Sequence, residues 1–427
     1  MSYKATVCCL TNLRSHPNAD RIQLATVANN QVVVGLDAEI GQLGVFFPSD
    51  GQLSMEFATA NDLIRRRDPE TGVITGGFFE KNRRVRVQKF RGEKSEGFWC
   101  PIQYFIFTGD ISALVKGYEF DTLNGIPICN KYLTQATRQM SGQRQLRHRS
   151  ETTMFRMHVE TEQFRMYADQ LPFGALVTIT EKLHGTSERV GLVLDDVPVK
   201  FAGIKHTINR ILHFSLFLTR QRAWRRLVGT RRVILEHHTG NTFYDDENFR
   251  YQAIENILNL HKGEVIYCEI VGWTAPNTPI MTAQDTTKLK DKTLLRQYGP
   301  QMLYAYGCLP GTAKAYVYRI TMINEDGIAV ELPWARVKTR CRELNIAYVP
   351  ELKSSFVLVN REALCEIVDK LQDVPSILDS SHLREGVVVR VDHDGGTDFY
   401  KHKGFYFGVL EGYLKEDPNF VDAEEIA

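Results

Sequence analysis

The sequence predicts an α+β protein: a small N-terminal β-barrel followed by a larger domain of antiparallel strands and helices. Three observations carry the prediction. Short runs rich in β-branched and aromatic residues recur through the first part of the chain, each closed by turn residues. Beyond them, strand-like runs and helical periodicities follow one another without the strict strand–helix alternation of a parallel sheet. The chain of 427 residues, at about 150 per domain, has room for two or three such units.

In the first part the strand runs are Lys4–Leu10, Ile22–Ala28, Gln31–Leu36, Gly44–Pro48 and Arg84–Phe90. Turns at Asn29-Asn30, Asp50-Gly51 and Arg91-Gly92 separate them. Residues 1–125 are expected to form this domain, and residues 126–160 a basic linker. From Arg138 to Arg149 the chain is polar, rich in arginine and poor in large apolar residues, as a linker or an exposed helix start would be. Residues 161–427 form the larger domain. There Ala175–Glu181 and Arg189–Leu194 are β-type runs flanking the turn His184-Gly185-Thr186-Ser187. Ile204–Leu227 carries a helical pattern, with Ile208, Leu212, Leu216 and Leu218 among Arg210, Arg220, Arg222, Arg225 and Arg226. Val265–Gly272, Ala315–Met322 and Gly386–Val391 read as buried strands, and Leu332–Asn345 and Arg361–Gln372 as helices.

Composition narrows the class. The 52 Lys and Arg balance 51 Asp and Glu, with 43% hydrophobic and 24% charged residues, which excludes a collagen, a disordered tail protein or a basic packaging protein. No run approaches the roughly 18 apolar residues that span a bilayer, and Met1-Ser2-Tyr3-Lys4 opens without a secretory signal's apolar core, so a cytoplasmic setting without membrane is expected. The eight cysteines form neither a CxxC nor a zinc-type Cys/His cluster and read as buried thiols in a reducing compartment. The balance hides a local asymmetry. Between Arg138 and Arg232 stand 17 Lys and Arg against 8 Asp and Glu. This is either a set of solvated faces or a surface for polyphosphate or nucleic acid, bound through counterion release.

The chemistry-bearing residues begin at Glu181-Lys182-Leu183-His184-Gly185-Thr186. A lysine between a β run and a glycine turn presents its amine at the lip of a pocket, with backbone free to approach a phosphate. Lysine becomes a nucleophile where neighbouring cations or desolvation favour its neutral form, and Lys401 and Lys403 are candidate neighbours. Alone, this short match is weak; further stretches follow it in order. They are Gly229-Thr230-Arg231-Arg232-Val233, Tyr267-Cys268-Glu269-Ile270-Val271-Gly272, Ala315-Tyr316-Val317-Tyr318, Arg384-Glu385-Gly386-Val387-Val388-Val389 and Phe399-Tyr400-Lys401-His402-Lys403. Carboxylates beside apolar strands are rare unless paired or bound to a hydroxyl or metal. Lysines two apart on a strand point the same way.

This ordered set resembles the covalent nucleotidyltransferase superfamily of ligases and capping enzymes, over about Ala175 to Gly412. His184, where DNA ligases and capping enzymes usually carry Asp, makes the stretch similar to the RNA ligase 2-like branch. Only 24 residues follow Lys403, too few for the C-terminal domains of those relatives. In the first part, His16-Pro17-Asn18-Ala19-Asp20-Arg21-Ile22 and Arg91-Gly92-Glu93-Lys94-Ser95-Glu96-Gly97 resemble tRNA-binding-type OB-folds. An OB domain ahead of a nucleotidyltransferase domain resembles the RNA ligase 5 type. The chain is longer than that type, and the stretch between Thr274 and Leu303 has no reading.

The resemblance implies an N-terminal OB-type β-barrel and an antiparallel-sheet, ATP-grasp-like ligase domain acting as an ATP-dependent RNA ligase. Lys182 would form lysyl-AMP, with Lys401 and Lys403 neutralising the α-phosphate. Glu385 would organise Mg²⁺ or Mn²⁺. Glu181 would hold adenine mainly through its backbone, Glu269 a ribose hydroxyl, and Arg231 or Arg232 the ribose or incoming 5′-phosphate. Tyr316 would stack on adenine, with Tyr318 a rival. The implied partner is nicked duplex RNA or an RNA-terminated strand, sealed by a monomer and held by a basic face around Arg210–Arg226. A DNA ligase and a non-catalytic RNA-binding protein stand as alternatives.

Overall fold

The computed structural model describes residues 3–68, 70–134, 152–158, 161–212, 218–231, 233–235, 248–289 and 291–411. They build a mixed α+β protein with antiparallel sheets, divided into two compact units. The first unit takes residues 3–134, Glu162–Leu171 and 408–411; the second takes 152–158 and Pro172–Phe407.

In the first unit, β1 (Ala5–Cys9), β2 (Thr11–Ser15), β3 (Ile22–Val27), β4 (Asn30–Gly35), β5 (Leu43–Pro48), β6 (Gly97–Pro101) and β7 (Glu119–Phe120) account for the main strands. One antiparallel sheet runs β6-β5-β1-β7 and another runs β2-β3-β4. Alternation explains the split. Leu10, Ala25, Val27, Val32 and Val34 pack with Phe46 and Trp99 in one cluster, while Val45, Phe47, Phe57 and Phe105 fill a second. Among the described residues the strands form separate small sheets. The expected strand Arg84–Phe90 is broken into Arg84–Val85 and Gln88–Phe90, which pair with different partners.

The two short motifs of this unit meet. His16 is buried, its Nε2 lies 2.9 Å from the Phe90 carbonyl, and Asn18 Nδ2 donates to the Arg91 carbonyl at 3.0 Å. The Asn18 backbone N–H donates to His16 Nδ1, which fixes the ring. Glu96 accepts the Gln31 N–H at 3.0 Å, and Gln31 donates to the Lys94 carbonyl at 2.8 Å, locking the second motif onto β4.

The second unit holds two larger sheets. One contains β8 (Leu176–Lys182), which lies between Glu351–Val357 and Gly386–His393, with Gly396–Lys403 beyond. The other is built on the long strands Thr186–Pro198, Arg220–Thr230, Glu264–Ala275 and Ala313–Ile323. β8 is buried along most of its length, as a central strand should be, although Thr178, Thr180 and Glu181 interrupt its apolar residues. Two buried arginines secure the frame. Arg390 donates to the carbonyls of Tyr318 and Leu332, tying the first sheet to the second. Arg189 lies over the Phe155 ring, 4.7 Å from its centroid.

One expectation is corrected here. The helical pattern read over Ile204–Leu227 yields a helix only over Ala202–Leu212; Arg220–Thr230 is a strand. It pairs residue by residue with the strand Thr186–Pro198, from Glu188 opposite Thr230 to Pro198 opposite Arg220. That ladder outweighs the helix preference of arginine and leucine. The helices expected near Leu332–Asn345 and Arg361–Gln372 are present as Trp334–Glu343 and Arg361–Gln372, the latter capped by Asn360, whose side chain accepts the Ala363 N–H. The arginines of 138–149 lie outside the described residues. No helix among the described residues is long and apolar enough to cross a membrane.

Candidate active site

Strand register assembles the centre. Lys182 pairs with Gly386, and Gly386 with Lys403, so the two lysines flank a residue without a side chain across three adjacent strands. In such a row side chains stand on one face. Lys401, two residues earlier and opposite Val388, belongs to the same face. Glu385, one residue before the paired glycine, is the counter-charge. Its fully buried carboxylate lies 2.7 Å from Lys182 Nζ through Oε1 and 3.4 Å from Lys403 Nζ; Oε2 lies 3.7 Å from His184 Nδ1. Sequence positions 182, 385 and 403 thus share one cluster. A carboxylate this deep is tolerable because cations surround it.

Glycine is required twice. A Cβ at Gly386 would stand 2.1 Å from the His402 carbonyl oxygen. One at Gly185 would stand 2.3 Å from the Ile270 carbonyl oxygen and 3.1 Å from Glu269 Cγ. The turn after Lys182 therefore lies directly on the strand Glu264–Ala275, bringing the nucleophile candidate beside the acid of the next motif.

That strand supplies a second row. Ser187, Glu269 and Tyr316 are register neighbours across three strands. Ser187 Oγ donates to Glu269 Oε2 at 3.1 Å, and Glu269 is half-buried. Tyr316 is buried with Lys314 Nζ 5.1 Å from its ring centroid, and burial raises its phenol pKa. The rival Tyr318 places its hydroxyl 3.0 Å from His158 Nδ1, which commits that end of the ring to a structural contact.

Glu181 points into the protein. Its side chain is 1% exposed, and one carboxylate oxygen accepts the Ile377 N–H at 3.1 Å. Burial pushes its pKa up, opposed by hydrogen bonds from Ser376 and Ile377. Its backbone N–H donates to the Pro350 carbonyl. Arg231 stands just beyond the strand Arg220–Thr230, where its carbonyl accepts the His158 N–H at 3.4 Å. Arg232 lies outside the described residues.

Several supporting residues carry no motif. Arg250, fully buried, donates to Thr186 Oγ1 at 2.8 Å and to the Ser187 carbonyl at 3.2 Å, and pairs with Glu188 at 3.4 Å, anchoring the strand that follows the glycine turn. The His184 ring sits edge-on to Tyr304 and Phe407, with centroids 5.0 and 4.9 Å away. An aromatic run at Tyr304-Ala305-Tyr306 was the available signal for that wall, just beyond the stretch between Thr274 and Leu303 that had no reading. Among the described residues no group of three or more His, Cys, Asp or Glu side chains forms a metal cluster.

A family profile described as RNA ligase matches residues 175–403, from the start of β8 to the last lysine of the row. No curated protein sequence matches the chain. Among solved structures, a lysine-to-alanine variant of Naegleria gruberi RNA ligase with ATP and Mn is similar over 97% of this chain and 99% of its own, at 17% identity and a TM-score of 0.60. A lysine-to-methionine variant with AMP and Mn gives 16% identity and a TM-score of 0.60 over 94% and 96%. The same ligase with PPi gives 15% and 0.59 over 95% and 97%. These likenesses describe the fold.

Proposed function

The chain belongs to the RNA ligase family, and from that premise we propose that it joins RNA ends through an adenylate carried on Lys182. Lys182 Nζ bonds to the α-phosphorus of ATP as the bond to pyrophosphate breaks. AMP then passes to a 5′-phosphate end, and a 3′-hydroxyl displaces it to leave a phosphodiester. The observation that carries this reading is the register row Lys182–Gly386–Lys403 closed by buried Glu385. Lys401 and Lys403 face the charge that builds on the α-phosphate, as phosphoryl-type transfer requires. Tyr316 offers a flat ring for adenine and Glu269 a carboxylate for a ribose hydroxyl. Glu181 contributes backbone, since its carboxylate is buried in the protein with one oxygen accepting the Ile377 N–H. Arg231 or Arg232 serves the ribose or the 5′-phosphate.

The donor set fits a divalent cation of the Mg²⁺ type. Glu385 is one hard carboxylate, buried beside Lys182 and Lys403, and such ions are commonly held through one or two carboxylates plus phosphate and water oxygens. Bound there, Mg²⁺ or Mn²⁺ would supply charge neutralisation at the phosphates. The similar Naegleria gruberi structures carry ATP or AMP together with Mn, which supports the same assignment.

The substrate in this reading is a nick in duplex RNA, or an RNA-terminated strand on a template. Arg220, Arg222 and Arg226, spaced by two and then four residues along one strand, are exposed and offer phosphate contacts. Residues 1–125, within the first unit, act as an OB-type nucleic-acid module, and residues 161–427 as the nucleotidyltransferase. The enzyme works as a monomer; all eight cysteines are free thiols, in keeping with a reducing compartment.

The test is incubation with α-labelled ATP and Mg²⁺, followed by denaturation. Label is expected on the wild type and not on Lys182→Ala; label retained by that variant refutes the nucleophile. A panel of nicks with ribose or deoxyribose 3′ ends then reads the substrate. Sealing that ignores a ribose terminus overturns the RNA assignment.

A further inference from the structure

The turn that carries Lys182 is held from below by a tyrosine that no motif includes. Tyr306 is 3% exposed, and its hydroxyl accepts the His184 backbone N–H at 2.6 Å. Its backbone lies in the left-handed region, with φ of 52°, and Gly307 follows with φ of 72°. A bulky residue there is a conformational outlier, kept only where surrounding contacts over-determine it, and such outliers cluster at functional sites.

The over-determining contacts are visible. Asp379 Oδ2 accepts the Gly307 N–H at 3.0 Å, and the Cys308 N–H closes the turn on the Ala305 carbonyl at 3.0 Å. The His382 ring, with no exposed surface, meets the Tyr306 ring edge-on with centroids 4.5 Å apart. The segment bearing Asp379 and His382 is itself pinned to β8, where Glu181 accepts the Ile377 N–H. A loop from a distant part of the chain therefore backs the tyrosine whose hydroxyl meets one amide. That amide lies two residues after Lys182.

We propose that Tyr306 is a positioning residue for the nucleophile: the strained Tyr306-Gly307 turn holds the phenol hydroxyl against the His184 amide and so fixes the direction of Lys182 Nζ. The inference rests on the lysyl-adenylate reading above. It predicts a step-selective role. Lysine attack on ATP depends on where Nζ points, whereas the last step joins an end already adenylylated and makes no bond to Lys182. Burial also raises the Tyr306 pKa well above that of free tyrosine, which keeps the hydroxyl neutral across the working range.

The test is Tyr306→Phe, which keeps the ring and removes the acceptor, leaving a backbone N–H unpaired. Single-turnover labelling of Lys182 at saturating ATP should fall by at least about tenfold, with the KM for ATP within about threefold of wild type. Sealing of a chemically prepared, 5′-adenylylated RNA nick should stay within about threefold. Equal loss in both steps, or no loss in labelling, overturns the proposal. Should Tyr306→Phe lose its cooperative thermal transition, Asp379→Ala reads the same device by freeing the Gly307 N–H. It should slow labelling by about threefold or more and spare sealing; unchanged labelling overturns the proposal there as well. A wild-type protein that takes no label defeats the ligase reading itself, and is distinguished by that control from a failure confined to Tyr306.

Discussion

Replacing Glu385 by Gln is the sharpest test of the charge arrangement. The change keeps the side-chain volume in a site with no exposed surface and deletes one negative charge between two ammonium groups. The contact to Lys182 at 2.7 Å is a short charge-assisted one, and such bonds contribute about 1.5–3 kcal/mol. The contact to Lys403 at 3.4 Å is longer and counts for less. These pairs orient the amine rather than activate it; losing that orientation, together with the carboxylate's hold on a divalent cation, is expected to cost about 3–4 kcal/mol in the lysine-adenylylation step, or about a hundred- to a thousandfold in rate. Stability should suffer less than for a sealed ion pair, because both lysines keep some access to water, at 16% and 18% side-chain exposure. The assay is quenched-flow labelling with α-labelled ATP, with thermal unfolding measured in parallel. A variant that labels within about threefold of wild type, with its fold intact, would show that the buried carboxylate is only structural.

Three further outcomes follow from the same geometry. Gly185→Ala must push the turn off the Ile270 carbonyl oxygen, now 2.3 Å from the new carbon, and should cut labelling by more than about tenfold in a protein that still melts cooperatively. Arg250→Ala strips the buried partner from Glu188 and the donors from Thr186 and Ser187, and should lower unfolding free energy in denaturant titration by about 3–5 kcal/mol. His382 has its pKa lowered, chiefly by burial, so the folded state resists protonation that the unfolded chain accepts. Stability from this group is therefore intact above the ordinary histidine pKa of about 6.5 and is lost as pH falls below it. His382→Gln should flatten that acid-side decline in pH-dependent melting, and an unchanged slope would discount the histidine.

Residues at the centre were legible in sequence because strand chemistry and spacing constrain them together. Lys182 next to a glycine turn, an acid before a Val-rich run and lysines two apart each have a geometric meaning on a strand, and register brings them to one point. The helix Arg361–Gln372 was equally plain, since its apolar positions recur at helical spacing behind an Asn cap. Arg220–Thr230 was misread because arginine and leucine favour helices and nothing local reveals a long partner strand. The partners of Tyr306, His382 and Arg250 were invisible for a different reason. Each of the three residues acts through contacts to a segment 60 residues or more away in chain order, as between His184 and Tyr306 with a separation of 122, and no short pattern records such a meeting.

Arg390 sets a mechanical condition on everything the second unit does. Its guanidinium is inside the protein, donating to carbonyls of Tyr318 and Leu332 while its own strand carries the row beside Glu385. Sliding one layer past the other would strand those donors away from water, at a cost of several kcal/mol. Breathing along that seam is thereby suppressed.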